Sequence, residues 1–246
     1  MDNYEIKEFI GKGKFASVFR GTNLKTGKIV AIKIIPSGNM KEVEILQRLN
    51  LLSDYFFDQN KNLVIVTEYL PGVTLQRFMI QNNKSELPSD VLWNLIFQLL
   101  LNLKRIHDSD IAHGDIKADN IIIDQNLKIQ IIDFGLSCVK QDGIIKDFGH
   151  PIFKTKNGIY IYKELTFEEA KLIDLNKLKI LIYYLCNLDM YPFRINRNNN
   201  ISTDKKEDNF ISNYKSDYGR TNEFLKSYDC AKNIDELIGL FEKIIG

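Results

Sequence analysis

A chain of 246 residues with 44% hydrophobic and 26% charged residues carries enough apolar material for one substantial core or two small ones, which excludes disorder throughout. Its 33 basic and 32 acidic residues leave a formal charge of +1, so no global field draws in nucleic acid or an anionic membrane, and any phosphate binding has to be local. Cys138, Cys186 and Cys230 are odd in number, far apart and without a C-x-x-C pair, so they read as reduced structural thiols, not as a disulfide framework or zinc site.

At the start of the chain, Met1-Asp2-Asn3-Tyr4-Glu5 is polar and acidic where a signal peptide requires a basic start and an apolar stretch. Residues 4–33 have strand character, punctuated by Gly11, Gly13, Gly21 and the turn Lys25-Thr26-Gly27-Lys28, which fits two hairpins. After Pro36-Ser37-Gly38, the apolar residues Met40, Val43, Leu46 and Leu49 predict a short amphipathic helix over 40–49. Strand character returns over 51–69 and breaks at Pro71-Gly72. Over 89–107, Leu92, Leu95, Ile96, Leu99, Leu103 and Ile106 form one broad apolar helix face, with Ser89 as the expected N-cap and Trp93 as a core or helix contact. Ile121-Ile122-Ile123 and Ile129-Gln130-Ile131-Ile132 read as strands around the polar turn Asp124-Gln125-Asn126. Further helices are expected over about 172–188 and over 234–245, and the Asn-, Lys-, Asp- and Ser-rich stretch 194–222 reads as a long loop. His107 and His150 lack metal-ligand spacing and read as capping or loop residues. The apolar runs Leu63-Val64-Ile65-Val66 and Ile180-Leu181-Ile182 fall far short of the roughly 18 residues that cross a bilayer, so the expected location is the cytoplasm.

Gly11-Lys12-Gly13-Lys14-Phe15-Ala16-Ser17-Val18 lies between two predicted strands. Such a turn lets backbone amides approach phosphate oxygens without side-chain obstruction, and two glycines in a hairpin also make an ordinary tight turn. Val30-Ala31-Ile32-Lys33 then closes an apolar strand with a lysine 22 residues after Gly11. An inward ammonium at a strand end needs an anionic partner. Glu42, on the following helix, is the candidate, with Glu44 next in line. On a helix these two point about 200° apart, so only one of them faces Lys33.

The densest chemistry lies in His113-Gly114-Asp115-Ile116-Lys117-Ala118-Asp119-Asn120, followed 13 residues after Asn120 by Asp133-Phe134-Gly135. Asp115, Asn120 and Asp133 supply oxygen ligands and a proton acceptor, the set needed to hold magnesium on a triphosphate and orient an incoming hydroxyl. Lys117 is spaced to neutralise charge on a transferring phosphoryl group. Residue types and spacings agree jointly, which separates the set from ordinary polar residues bounding two strands.

By these motifs residues 4–193 resemble the eukaryotic-type protein kinase family in its glycine-rich loop, Val-Ala-Ile-Lys strand, catalytic loop and Asp-Phe-Gly segment. The resemblance implies an α+β, two-lobed fold: a small antiparallel β-sheet N-lobe with one helix (1–67), a hinge (68–71) and a larger, mainly helical C-lobe (72–246), all one kinase domain. It implies Asp115 as catalytic base, Lys117 as the phosphate-facing lysine, Asn120 and Asp133 as magnesium ligands, and Lys33, paired with Glu42, on the α- and β-phosphates of ATP. Thr67-Glu68-Tyr69-Leu70 falls where the family has its gatekeeper and hinge. Glu68 and Leu70 would then hydrogen-bond adenine, Val18, Ala31 and Ile122 would sandwich it, and Gly11 and Gly13 would cover the phosphates. Lys117 marks serine/threonine specificity by the same resemblance, with direct in-line transfer to a protein substrate by a monomer. No nucleic-acid or membrane partner is implied.

The chain also departs from the family. Gly114 replaces the arginine that commonly pairs with an activation-loop phosphate, so activity is expected without phosphorylation of 133–164. Ala16 stands for the third glycine, and the nine residues from Lys33 to Glu42 require a helix short at its N-terminal end. Tyr160-Ile161-Tyr162-Lys163-Glu164 keeps only the glutamate of the family's Ala-Pro-Glu segment. Asp174, opening Asp174-Leu175-Asn176-Lys177-Leu178, resembles the buried aspartate that anchors the catalytic loop. With His113-Gly114-Asp115-Ile116-Lys117 it resembles the casein-kinase and vaccinia-related branch. Two other readings use the same residues: a small-molecule phosphotransferase of the aminoglycoside or choline kinase type, and an ATP-binding scaffold without activity.

Overall fold

In a computed structural model, residues 3–13, 16–82, 87–141, 143–146, 148–149, 153–154, 160–161, 164–186, 223–224 and 227–245 are described. Lys14, Phe15, His150, Tyr162, Lys163, the end of the expected helix at 187–188 and the stretch 194–222 lie outside them. Strands β1 (Tyr4–Lys12), β2 (Ser17–Asn23), β3 (Ile29–Ile35), β4 (Leu52–Phe57) and β5 (Leu63–Glu68) form an antiparallel sheet in the order β1-β2-β3-β5-β4. Period-two alternation gives it two apolar faces. Val30, Ile32, Val64 and Val66 share one buried cluster with Tyr4. Tyr4, from the first edge strand, stacks on Phe56 of the last at 5.9 Å and donates its hydroxyl to Asp54 Oδ2 at 2.7 Å, so the sheet curls until its edges meet. Burial and then the Asp54 carboxylate push the Tyr4 phenol up to about 12.

On the other face, Leu63 and Ile65 pack with Val43, Ile45 and Leu46 of helix α1 (Lys41–Arg48). The helix begins one residue before Glu42, as short at its N-terminal end as the spacing requires. The same apolar cluster continues through Phe134 into helices α2 (Leu75–Gln81), α3 (Ser89–Asp108), α4 (Phe167–Cys186) and α5 (Ile234–Ile245). In α3, Leu95, Ile96, Leu99, Leu100, Leu103 and Ile106 are buried, each stabilising the fold by about 1.5–3 kcal/mol. Trp93 meets Phe224 and Phe241 edge-on at 6.2 and 5.9 Å, joining α3 to α5.

Two helix starts differ from expectation. Pro88, not Ser89, is the N-cap of α3: its extended backbone already presents a carbonyl to Leu92 N–H at 3.0 Å, which puts Ser89 inside the first turn. Helix α4 starts at Phe167 instead of about Leu172. A capping box sets that start: Glu169 N–H donates to Thr166 Oγ1 at 3.2 Å while Thr166 N–H donates to Glu169 Oε2 at 2.8 Å.

Short strands place the loops. β7 (Ile111–Ala112) pairs with β10 (Cys138–Val139), and β8 (Ile121–Ile123) pairs with β9 (Ile129–Ile131) and with β6 (Val73–Thr74). Segment 113–120 therefore leaves one paired strand and enters the other, as 132–137 does in reverse, so the two run side by side. Gly72 lets the connector approach β8, because a side chain there would strike the Ile123 carbonyl. Strands β11 (Phe153–Lys154) and β12 (Tyr160–Ile161) pair with each other. All three cysteines are free, and burial pushes the thiols of Cys138 and Cys186 up to about 11 and about 12. Among the described residues no helix is long and apolar enough to cross a membrane.

Candidate active site

Lys33 lies opposite Val18 in the β2–β3 ladder and on the face of β3 that also carries Ala31, towards the helical part of the molecule. Its ammonium donates to both oxygens of Glu42, at 2.6 and 2.9 Å, and to Asp133 Oδ1 at 2.7 Å. Glu44 is turned away on the same helix and pairs with Arg48 at 3.2 Å. Burial alone would lower the Lys33 pKa, but Glu42 and then Asp133 outweigh it and hold the lysine above its usual value. Burial likewise pushes Glu42 up, and Lys33 pulls it part of the way back. Asp133 is more open: burial raises it, and the Lys33 charge overrides this to leave it below the usual carboxylate range. Its backbone sits at φ +66°, a conformation an aspartate adopts at a cost of roughly 1–3 kcal/mol, and Gly135 N–H supports it at 3.4 Å from Oδ1.

On the helical side, loop 113–120 is fixed from within. Asp174 on α4 is fully buried and accepts the N–H of His113 at 2.6 Å and that of Gly114 at 2.8 Å. Asp115 N–H donates to His113 Nδ1 at 3.2 Å, and since the Ile132 carbonyl 3.1 Å from Nε2 only accepts, the ring is the neutral tautomer protonated at Nε2. Burial holds His113 below its ordinary value despite the carboxylates of Asp174, Asp115 and Asp133. Asp115 Oδ2 accepts Lys117 Nζ at 2.6 Å and Asn120 Nδ2 at 2.9 Å. Ile132 N–H donates to the Asn120 carbonyl at 2.9 Å, which sets Asn120 beside the segment that carries Asp133.

The other candidates line the sheet side and the connector. Gly11 pairs with Val18, and among the described residues a Cβ there would meet only Val18 Cβ, at 3.9 Å; Gly13 N–H donates to the Ala16 carbonyl at 2.8 Å. Glu68 ends β5 opposite Val30, and Leu70 follows half-buried in the connector. Ile122 lies between buried Ile121 and Ile123 and turns away from that core. Among the described residues no group of three or more His, Cys, Asp or Glu is placed to hold a metal unaided. Asn120 and Asp133 offer oxygen donors only, which fits a hard divalent cation that takes its remaining ligands from phosphate and water.

Several residues that shape the site were not legible as such. His107, expected to cap or to lie in a loop, is a buried residue of α3 whose Nε2 lies 3.2 Å from Asp174 Oδ2. Ser137 Oγ donates to the His113 carbonyl at 2.7 Å. Arg105 donates to the Leu49 carbonyl at 2.6 Å, joining α3 to the end of the helix that carries Glu42. Phe148 packs beside Gly114. The faint signal for His107, Arg105 and Ser137 is a polar residue beside a motif or on a helix with an apolar face, and Phe148 carried none.

The sequence is similar to those of known proteins. Residues 4–238 match the protein kinase domain, and the chain belongs to that family. It is similar to a probable serine/threonine-protein kinase of Dictyostelium discoideum, 30% identical over 174 residues covering 65% of this chain and 37% of that protein. It is also similar to CBL-interacting serine/threonine-protein kinase 10 of Arabidopsis thaliana, 28% identical over 58% of this chain and 33% of that one. Serine/threonine-protein kinase RAD53 of Saccharomyces cerevisiae is 34% identical over 56% of this chain and 18% of its own length. The matched regions thus span between 18% and 37% of these three relatives.

Proposed function

We propose that this chain transfers the γ-phosphoryl group of ATP to serine or threonine hydroxyls of proteins, in line and without a phosphoenzyme. The observation that carries the reading is the joining of two clusters by the segment of Asp133: Lys33 Nζ is bound to both Glu42 and Asp133, Asp115 is bound to Lys117 and Asn120, and the Asn120 carbonyl accepts the N–H of Ile132, next to Asp133. On this reading residues 1–67 form the small lobe, 68–71 the hinge and 72–246 the large lobe.

Asp115 accepts the proton of the incoming hydroxyl, and the Asn120 amide and the peptide hydrogen bonds of the loop hold it in place. Lys117, now paired with Asp115, swings its charge to the transferring phosphoryl oxygens. Lys33 keeps a positive charge at the α- and β-phosphates because Glu42 holds the ammonium in position. Asp133 and the amide oxygen of Asn120 would hold magnesium, which would supply positive charge to offset that of the phosphates. The Asn120 amide nitrogen is committed to Asp115, which leaves that oxygen as the ligand. The exocyclic and ring nitrogens of adenine would meet the backbone of Glu68 and Leu70, with Val18, Ala31 and Ile122 against its faces. Serine/threonine preference rests on Lys117 and on the names of the relatives.

The test is transfer of labelled γ-phosphate from Mg-ATP to casein and to a basic protein by the wild-type chain and by Asp133→Asn, followed by phosphoamino-acid analysis. Labelled phosphoserine or phosphothreonine that disappears in the variant is the expected result. ATP binding with no protein labelling, or labelling of a small-molecule acceptor alone, rejects the reading.

A further inference from the structure

Gly114 sits in a sandwich. On one side its N–H and that of His113 are bound by Asp174, at 2.8 and 2.6 Å. On the other side the segment following Asp-Phe-Gly presses directly on its backbone. With φ at +82°, a Cβ at this position would strike the Leu136 carbonyl oxygen and lie 3.1 Å from Phe148 Cε2. Gly149 N–H donates to that same Leu136 carbonyl at 3.1 Å, and a Cβ on Gly149 would come within 3.3 Å of the Gly114 carbonyl. The space that a side chain at 114 would need is therefore filled by Phe148 and Leu136.

What holds Phe148 there is apolar. It is 4% exposed, in a cluster with Ala112, Cys138, Ile145, Leu165 and Phe167 that is separate from the main core. Reciprocal backbone bonds between Ile145 and Leu165, at 2.7 and 3.0 Å, tie the segment to the entry of α4, the helix that carries Asp174. Asp115 directly follows the clamped glycine.

Building on the phosphotransfer reading above, we propose that Phe148 is a positioning residue for catalysis: its ring, seated on Gly114, closes the face of the catalytic loop opposite Asp174 and fixes Asp115 by packing, without any charged contact to a modified loop. The consequence is a loop set by folding alone. Truncating the ring frees Gly114 on one side and lets Asp115 drift, while the Lys33 cluster, held by the Glu42 and Asp133 carboxylates, keeps its hold on nucleotide.

The experiment uses phosphatase-treated full chain in the series Phe148→Leu, Phe148→Val and Phe148→Ala, with kcat, KM for Mg-ATP and the stoichiometry of ATP binding measured for each. Expected is a graded fall in kcat, small for leucine and reaching roughly 10- to 100-fold for alanine, as a displacement of about 1 Å at a reacting group commonly produces. KM for Mg-ATP should stay within about twofold across the series, since the contact touches no nucleotide-binding residue. A flat kcat from leucine to valine overturns the proposal, as does a loss that matches the fall in ATP-binding sites, which would mean unfolding only. If the wild type transfers no phosphate, the phosphotransfer reading falls by itself, and hydrogen exchange decides whether Phe148 holds the loop. Faster exchange at the His113 and Gly114 amides in Phe148→Val supports that contact, and unchanged exchange removes it.

Discussion

The two walls of the site, sheet and helical, are fixed by different means. On the helical side, loop 113–120 is anchored by one carboxylate with no exposure at all, Asp174, which takes two backbone N–H groups and His107. On the sheet side, Lys33 is held between two carboxylates, the nearly buried Glu42 on the next helix and the 46% exposed Asp133, 100 residues further along the chain than the lysine. A buried acceptor with three partners is an element of the fold, because its removal leaves donors with nowhere to turn. A half-open ion pair contributes little to stability and much to the placement of charge. The comparison teaches that stability and reactivity are assigned to opposite walls.

Asp174→Ala tests this with the largest expected effect. Its three partners lose their acceptor, at roughly 1–3 kcal/mol each, so the unfolding free energy should fall by about 3 kcal/mol or more and activity with it. Denaturant midpoints at constant slope provide the measurement. A variant nearly as stable as wild type would show that water or a neighbouring group replaces the carboxylate, and the contrast between the walls would disappear.

Lys33→Met should show the reverse. Phosphotransfer is expected to drop roughly 100- to 1000-fold, the scale on which removal of one preorganised charge acts. The unfolding free energy should change much less than in Asp174→Ala, because burial already pushes Glu42 towards its protonated form and it can take up a proton once the lysine is gone. Equal destabilisation in the two variants would assign Lys33 to the fold after all.

A smaller effect separates the walls by pH. His113 has its pKa held below the ordinary 6.5 by burial, so the unfolded chain binds its proton more readily than the folded one. The helical wall should therefore have its full stability above about pH 6.5 and lose it progressively as the pH falls towards the lower folded value. A proton on Nδ1 would also face the Asp115 N–H, donor against donor. Asp133 is likewise held low, but its contribution is lost only below the ordinary carboxylate value of 3.8, a separate window. Unfolding midpoints from pH 7 to 5 for wild type and His113→Phe check this. If both fall in parallel, the acid sensitivity belongs to other groups.

How much of this was legible in the sequence follows from the kind of interaction involved. Strands β1 to β5, helix α1 and the α3 face carry their own periodicity, so both they and the α+β class were readable. The residues assigned to the site stand in short motifs whose spacing survives without any structure. Illegible were the single side chains whose partners lie far along the chain: His107 reaches the Asp174 carboxylate across 67 residues, Arg105 the Leu49 carbonyl across 56, and Ser137 the His113 carbonyl across 24. Nothing in periodicity encodes such bonds, and the carbonyls bound by Arg105 and Ser137 have no residue type to recognise. The misplaced start of α4 differs in kind. Its signal, Thr166 three residues before Glu169, was present but carried no apolar repeat.

The choice between Glu42 and Glu44 provides the smallest effect and a control on the contrast between the walls. Helical geometry allows only one of the two to face Lys33, and Glu42 does so, with a side chain 9% exposed, while Glu44, 56% exposed, pairs with Arg48 one turn on. An exposed i,i+4 pair is worth about 0.3–0.5 kcal/mol, so Glu44→Ala should shift the unfolding free energy by no more than that and leave kcat within about twofold of wild type. The same truncation at Glu42 releases the lysine to Asp133 alone. Phosphotransfer should then fall far more than stability does. A kcat as low in Glu44→Ala as in Glu42→Ala would mean that the helix turns during the reaction and that the lysine changes partner. The sheet wall would then be a moving part set against the fixed loop anchored by Asp174.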